Sequence, residues 1–287
     1  MKKVLVTSKN GYISKKIVEK FNKELIMCEA KSVRNQYYNE INFDEYSTVI
    51  HTAAIVHKND SKNKFAEINS DLTFKIAKDC KSKGCKLFIF ISTMNVFGQT
   101  NGVINSSTEE KPITLYGESK LNAEKKILSL EDDNFKIAIV RPPMVYGAEA
   151  PGNYKNLVKL SKILYIFPSI KNKRSMIFID NLTHFIYELY KAKKSGVFHP
   201  QNSDYICTTE LVLNLRKEMN KKTILLSFFN PLVRFLIKKN SYFEKIFGDL
   251  YYDQEDFKYD FYESPINFEK SIVIIESENI KNENGFK

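Results

Sequence analysis

The chain of 287 residues has no run of about 18 apolar residues, the least that a bilayer-crossing helix needs. Met1-Lys2-Lys3 leads directly into the strand-like "VLVT", with neither the apolar core nor the cleavage site of a secretory signal. A cytoplasmic protein with no membrane span is expected. Cysteine is scarce: Cys28, Cys80, Cys85 and Cys207 share no metal-ligand or redox spacing, so they read as reduced, packed thiols and no metal is expected. Acidic residues are too few to balance the basic ones, which leaves a formal charge of +10. Yet neither a helix-turn-helix nor a basic stripe interleaved with aromatics is present, so the excess reads as general attraction to anionic ligands and no nucleic-acid partner is expected. Internal repeats are absent as well.

Short β-rich apolar runs alternate with helical patterns through the first half, the order of right-handed βαβ crossovers in a parallel sheet. Strands are expected at "KVLVT", "ELIMC", "TVIHT", "KLFIFIS" and "KIAIVR", with helices over about residues 13–22, 65–82 and 118–129. Gly84 stands where a helix end needs positive φ before the next strand. The class is α/β, a doubly wound parallel sheet whose ligands bind beyond the carboxyl ends of its strands. After Arg141 the pattern loosens, which predicts a smaller second lobe. "SFFNPLVRFLIKK" is amphipathic, but Pro231 and its basic residues argue for a buried or lobe-capping helix rather than a membrane one. From about Ser277 the tail, residues 277–287, reads as too polar to pack.

Glycine is missing where a strand turns onto a helix. A phosphate-cradling turn wants glycines at three positions that here hold Ser8, Gly11 and Ser14 in "TSKNGYIS", so only the middle one survives. Further on, "LYGESK" places Tyr116 and Lys120 four apart on one helical face, where an ammonium can lower a phenol's pKa. The strand ending in "FISTMNVFG" presents Thr93 one connection earlier, so hydroxyl, phenol and amine converge at one end of the sheet. His51 opens the "HTAA" turn and reads as packed, and Asp180 as a cap for a helix starting at Asn181.

Taken together, "VLVTSKNGYIS", "VIHTAA", "FIFISTMNVFG", "LYGESKLNAE", "IVRPPMVYG" and "NKRSMIFIDNL" resemble, in order, motifs of the extended short-chain dehydrogenase/reductases that act on nucleotide sugars. The resemblance implies a Rossmann-like dinucleotide-binding domain over 1–147, with 176–200 returning to it. A substrate lobe would comprise 148–175 and 201–276. It implies Tyr116 as acid/base, Lys120 on the nicotinamide ribose and depressing the tyrosine's pKa, and Thr93 on the same sugar oxygen. Thr7, Asn10, Gly11, Tyr12, Ile13, Ala53, Ala54, Asn69 and Pro142 match cofactor-side positions. Asn95, Asn153, Arg174 and Asp253 match substrate-side ones, with Arg174 on the nucleotide diphosphate. It further implies a UDP-sugar substrate and a homodimer through a four-helix bundle.

After the second strand, Glu29 could take the adenosine ribose as in NAD sites, whereas Lys31 and Arg34 could take a 2′-phosphate; NADPH is slightly favoured over NADH. The acidic pair that follows the Ser/Thr in 4,6-dehydratases is replaced by Met94 and Asn95, which argues against dehydration. The subgroup resembled reduces UDP-linked 4-keto-6-deoxy amino sugars to UDP-N-acetylquinovosamine or a related product, and this reading is preferred. A UDP-hexose 4-epimerase and a non-catalytic sugar-nucleotide binder are the alternatives.

Overall fold

The computed structural model describes residues 2–56 and 61–284. From the N-terminus come β1 (Lys3–Thr7), α1 (Tyr12–Lys23), β2 (Cys28–Lys31) and β3 (Tyr46–His51). One long helix follows in three parts: α2 (Lys62–Phe65), a π-helical turn (Ala66–Asp71) and α3 (Leu72–Ser82). Next are β4 (Leu87–Ile91), β5 (Gly102–Ile104), α4 (Leu115–Leu128) and β6 (Lys136–Val140). The remainder holds β7 (Met144–Tyr146), α5 (Asn153–Ile163), β8 (Ile166–Pro168), β9 (Met176–Phe178), α6 (Ile179–Ala192) and β10 (Gly196–Phe198). Last come α7 (Thr208–Glu218), β11 (Ile224–Leu226), α8 (Asn230–Lys239), α9 (Ser241–Phe247), β12 (Leu250–Tyr252) and α10 (Phe268–Asn284).

Six strands build one parallel sheet in the order β10-β6-β4-β3-β1-β2. Strands of a parallel sheet are buried on both faces, which is why they read as continuous apolar runs. Val4, Val6, Ile89 and Val140 face the side covered by α1 and α6, and Leu5, Val49, Phe88 and Ile139 face α3 and α4. The winding reverses between β1 and β3, and at such a switch point the strand ends open a crevice. The fold is Rossmann-like.

Two expectations are corrected. Strand β2 is not "ELIMC" but begins at Cys28, because α1 runs to Lys23 and Leu25 turns the chain with a left-handed φ of 60°. Leu25 and Met27 are thereby left in solvent, their apolar character notwithstanding. The tail after Ser277 continues α10 as helix to Asn284, docked in part by an ion pair between Glu278 and Lys16 at 3.1 Å. Residues 285–287 lie outside the described part. Helix α8 caps a small second core through Val233, against Phe167, Val212 and Phe247, but most of its surface is exposed.

A buried histidine follows β10 at the edge of the sheet. His199 is enclosed by Phe257, Tyr252 and Phe97, ring centroids 4.1, 5.1 and 5.8 Å away, and neither ring nitrogen has a hydrogen-bond partner among the described residues. Burial, with Arg141 adding to it, pushes its pKa down to about 3, and burial does the same to His51. An unfolded histidine titrates near 6.5, so between pH 6.5 and 3 the unfolded chain binds protons that the native one refuses. Stability falls as pH falls through that window, by about 1.4 kcal/mol per pH unit for each histidine. His199→Phe is expected to remove one histidine's share of this acid slope and to raise stability at pH 5 by about 1–3 kcal/mol, the cost of an orphaned polar group. Urea unfolding at pH 4.5 to 7 measures both; an unchanged slope refutes the assignment.

Candidate active site

The connection from β1 to α1 takes its shape from Thr7, which is fully buried. Its hydroxyl accepts the backbone N–H groups of Thr52 (2.9 Å) and Ala53 (3.1 Å), and its carbonyl accepts the hydroxyls of Ser14 and Thr52. The first loop and the β3 turn are thus one hydrogen-bonded body. Ser8 occupies the left-handed region, φ 78°, the conformation for which the usual glycine is selected. A Cβ on Gly11 would lie 2.8 Å from Ser14 Oγ and 2.9 Å from Ser8 Oγ, so a side chain at the middle position would have to displace both serine hydroxyls. Helix α1 starts with no side-chain cap and no acid in its first turn. The amides of Tyr12 and Ile13 are therefore placed for an anion. Asn10 is exposed beside them, and the half-buried ring of Tyr12 carries a hydroxyl without a hydrogen-bond partner among the described residues.

Helix α4 begins where Thr114 accepts the Gly117 N–H at 3.0 Å, three residues earlier than expected. Tyr116 and Lys120 share its inward face, Lys120 fully buried and Tyr116 half-buried. Thr93 caps the 3₁₀ turn over Met94–Phe97 by accepting the Asn95 N–H, and its hydroxyl also reaches the Tyr116 phenol. Burial pushes Tyr116 up to about 12, with Thr93 pulling back. Burial drives Lys120 itself down to about 7 against the opposing charge of Glu124, and its ammonium lies 4.2 Å from the centre of the Phe90 ring. At neutral pH Tyr116 is thus a protonated donor beside an amine that a hydroxyl-rich ligand would re-solvate.

Sequence reasoning missed Gly117. A Cβ there would stand 2.6 Å from the Asn95 carbonyl oxygen, so glycine lets α4 press against the Thr93 turn. Gly117→Ala is expected to separate Tyr116 from Thr93 and cut kcat at least about tenfold with KM little changed, since a displacement of this size costs catalytic alignment more than binding. Steady-state kinetics read it; kcat within twofold of the parent would contradict the role.

Other anticipated residues make hydrogen bonds within the fold. Asn69, wholly buried in the π-helical turn, exchanges hydrogen bonds with both backbone groups of Ile55 (2.8 and 3.0 Å) and donates to Ser119 (3.0 Å), which joins the β3 turn to α4. Pro142 accepts the Met94 N–H at 3.0 Å. His51 is packed, its nitrogens 3.1 Å from the hydroxyl of Thr7 and 3.0 Å from that of Thr73. Asp180 is the second residue of α6 and not its cap.

Glu29 does not stand at the strand end. It pairs in register with Leu5, halfway along, and takes a hydrogen bond from Tyr46 (3.0 Å) and an ion pair from Lys3 (3.3 Å). Lys31 leans over the same Tyr46 ring, 5.6 Å from its centre. Beyond the end of β2 come Ser32 and Arg34, whose guanidinium donates to the Ala54 carbonyl at 2.6 Å; Ala53 is buried beside it. Farther along the chain, Arg174 donates to the Gly248 carbonyl at 2.8 Å, and burial lowers its pKa to about 10. Asp253 spends one carboxylate oxygen on the N–H groups of Glu255 (2.9 Å) and Asp256 (3.3 Å), a turn-holding role. Asn95 and Asn153 are exposed. No cluster of three or more metal-ligating side chains occurs among the described residues.

A parallel sheet with a switch point between β1 and β3, together with a tyrosine and a lysine on one helix beside a threonine, is the arrangement of a class of dinucleotide-dependent enzymes. The family model for the NAD dependent epimerase/dehydratase family matches residues 4–199, and the chain belongs to that family, within the extended short-chain dehydrogenases/reductases. It is 31% identical over 234 residues to the UDP-glucose 4-epimerase of Vibrio cholerae, spanning 76% of this chain and 71% of that one. It is 22% identical over 243 residues to the N-acetyl-alpha-D-glucosaminyl-diphospho-ditrans,octacis-undecaprenol 4-epimerase of Escherichia coli O157:H7, covering 76% and 73%. Among solved structures, UDP-N-acetylglucosamine 4-epimerase from Bacillus cereus superposes with a TM-score of 0.75 at 17% identity, over 97% and 99% of the two chains. Membership makes this an NAD(P)-dependent enzyme of the epimerase and reductase kind.

Proposed function

We propose that the protein is an NADPH-dependent reductase of the 4-keto group in a UDP-linked 6-deoxy, 2-acetamido hexulose, making UDP-N-acetylquinovosamine or a related nucleotide sugar for surface polysaccharide. The observation that carries this reading is the end of β2, where Glu29 is turned away and Ser32 and Arg34 are what a ribose would meet. An adenosine ribose bearing a 2′-phosphate suits a guanidinium, and a phosphorylated, exchangeable cofactor suits a reductase rather than an epimerase. The residues present fit such a dinucleotide: the uncapped first turn of α1 at Gly11, Tyr12 and Ile13 for the pyrophosphate, and the desolvated Lys120 for the ribose hydroxyls.

When bound, the reduced nicotinamide supplies a hydride to the sugar's C4. Tyr116, protonated across the neutral range, donates its proton to the C4 oxygen, and Thr93 holds that oxygen in line. Arg174 takes the UDP diphosphate, with Asn95 and Asn153 toward the sugar. The division into a dinucleotide-binding domain over 1–147 and 176–200 and a sugar-nucleotide lobe over 148–175 and 201–276 belongs to the same proposal. So does a homodimer through α4 and the helix over 62–82.

Incubation with UDP-4-keto-6-deoxy-N-acetylglucosamine and either NADPH or NADH tests this, following nicotinamide absorbance. NADPH oxidation is expected, faster than with NADH and much slower in Arg34→Ala with NADPH alone. The similarity to the Vibrio cholerae UDP-glucose 4-epimerase favours a second reading, a UDP-hexose 4-epimerase. Conversion of UDP-N-acetylglucosamine to its C4 epimer without net cofactor oxidation, and no reduction of the keto sugar, would replace the first reading with the second.

A further inference from the structure

The residues over 220–240 contain no aspartate or glutamate but five basic side chains: Lys221, Lys222, Arg234, Lys238 and Lys239. Most of the apolar residues among them stay out of the core. Phe228 is 86% exposed, Phe235 57% and Leu232 54%. The spacing of these three, i, i+4 and i+7, aligns them along one ridge that runs from the 3₁₀ turn over Ser227–Phe229 onto the outer face of α8. The ridge continues sideways. Strand β11 pairs in parallel with β8 so that Ile224 stands opposite Ile166, and both are exposed, next to an exposed Tyr165. The Asn230 side chain ties the start of α8 to the Ser169 carbonyl at 2.8 Å, which keeps helix and ribbon in one surface.

Single exposed apolar residues are ordinary, but a contiguous aromatic and aliphatic ridge rimmed by cations marks an interaction site. The structure assigns this face to an anionic lipid bilayer: we infer that α8 and the β8–β11 ribbon lie in the headgroup layer, with Phe228, Leu232 and Phe235 reaching the acyl boundary. No described helix is long and apolar enough to cross a membrane, and α8 has ten residues, so the contact is interfacial. Charge selects this occupant. Two copies meeting through the face would bring like charges together, whereas anionic headgroups answer Arg234, Lys238 and Lys239 directly. Lys239 already leans over the Phe235 ring, 5.9 Å from its centre, as a side chain that buries its stem and keeps its ammonium at the headgroup level.

The test is co-sedimentation of the full chain with extruded vesicles of phosphatidylcholine alone and of phosphatidylcholine with one third phosphatidylglycerol. Binding to the anionic vesicles is expected to be roughly 100-fold tighter than to neutral ones, about fivefold per basic residue at the surface, and to weaken with salt. Phe228→Ser with Leu232→Ser and Phe235→Ser, all exposed and none in the active site, should lower vesicle binding at least about tenfold while thermal unfolding stays unchanged. Arg234→Gln with Lys238→Gln and Lys239→Gln should abolish the preference for anionic lipid. No binding to either vesicle overturns the proposal, as does binding that the serine variant leaves intact. A mass by analytical ultracentrifugation that halves in the serine variant, with no vesicle binding by the parent, assigns the face to a second copy instead.

Discussion

Tyr116→Phe is expected to lower kcat for the sugar substrate by about 10²–10⁴-fold with KM changed less than about threefold, the usual weight of one positioned proton donor. The phenol adds little to binding, since Thr93 remains to hold the sugar oxygen, so the loss falls on the chemical step. Burial drives the phenol to about 12 and the ammonium of Lys120 to about 7, so the two titrate far apart. Tyr116 stays protonated from neutral pH to well above it. A reductase that uses it as a donor should therefore lose nothing to the phenol as pH rises through 8 and 9, and the fall in rate that begins near pH 7 should belong to Lys120 giving up its proton. Lys120→Met should remove that limb along with most of the activity. A tyrosine variant retaining a tenth of the parent rate would mean that another group delivers the proton.

Glu124→Gln should be the most destabilising single change near the site. The carboxylate is buried and accepts from Ser92 and from both Nε (3.2 Å) and Nη2 (2.6 Å) of Arg141, whose Nη1 reaches Glu110 at 3.0 Å. Arg141 is itself buried against the Phe97 ring, 5.1 Å from its centre. Removing the fully buried partner leaves Arg141 with only the half-exposed Glu110, and breaking a buried pair in this way costs about 3–5 kcal/mol. In a chain of this size that lowers Tm by roughly 10 °C. Because Glu124 lies one turn beyond Lys120 and opposes the fall of its pKa, the variant should also move the Lys120 limb downward in pH. A Tm within 2 °C of the parent, by about the size of a surface substitution, would mean that the pair contributes little.

The parallel sheet was legible because each strand is buried on both faces and so reads as an unbroken apolar run. The one strand read out of place, at "ELIMC", failed because a left-handed Leu25 puts apolar residues in solvent, and nothing in composition announces a positive φ at leucine. That slip of a few residues also misplaced Glu29, which seemed to end the strand and sits at its middle. That Tyr116 and Lys120 share a helix face with Thr93 nearby was readable from spacing along one helix and across one connection, whereas their roles came from the resemblance of six ordered motifs. Gly117 was not, because its reason is a carbonyl 22 residues earlier in the chain, at Asn95, and long-range steric demands leave no local pattern. The amphipathic stripe of α8 was read as that of a buried or lobe-capping helix, and it caps the small second core through Val233; periodicity gives the two faces of a helix but not how much of the outer one meets solvent.

The π-helical turn over Ala66–Asp71 holds one residue more per turn than an α-helix and is seated next to the crevice. Such a turn is a length polymorphism fixed in the fold. Loss of one codon within it would leave a regular helix of good propensity, yet rotate every upstream side chain by about 100° relative to α3. Asn69 would then leave Ile55 and Ser119, and the β3 turn would lose its link to the helix that carries Tyr116. In evolutionary terms the six residues act as a reading frame for the site, tolerant of substitution at their exposed positions and intolerant of deletion at any.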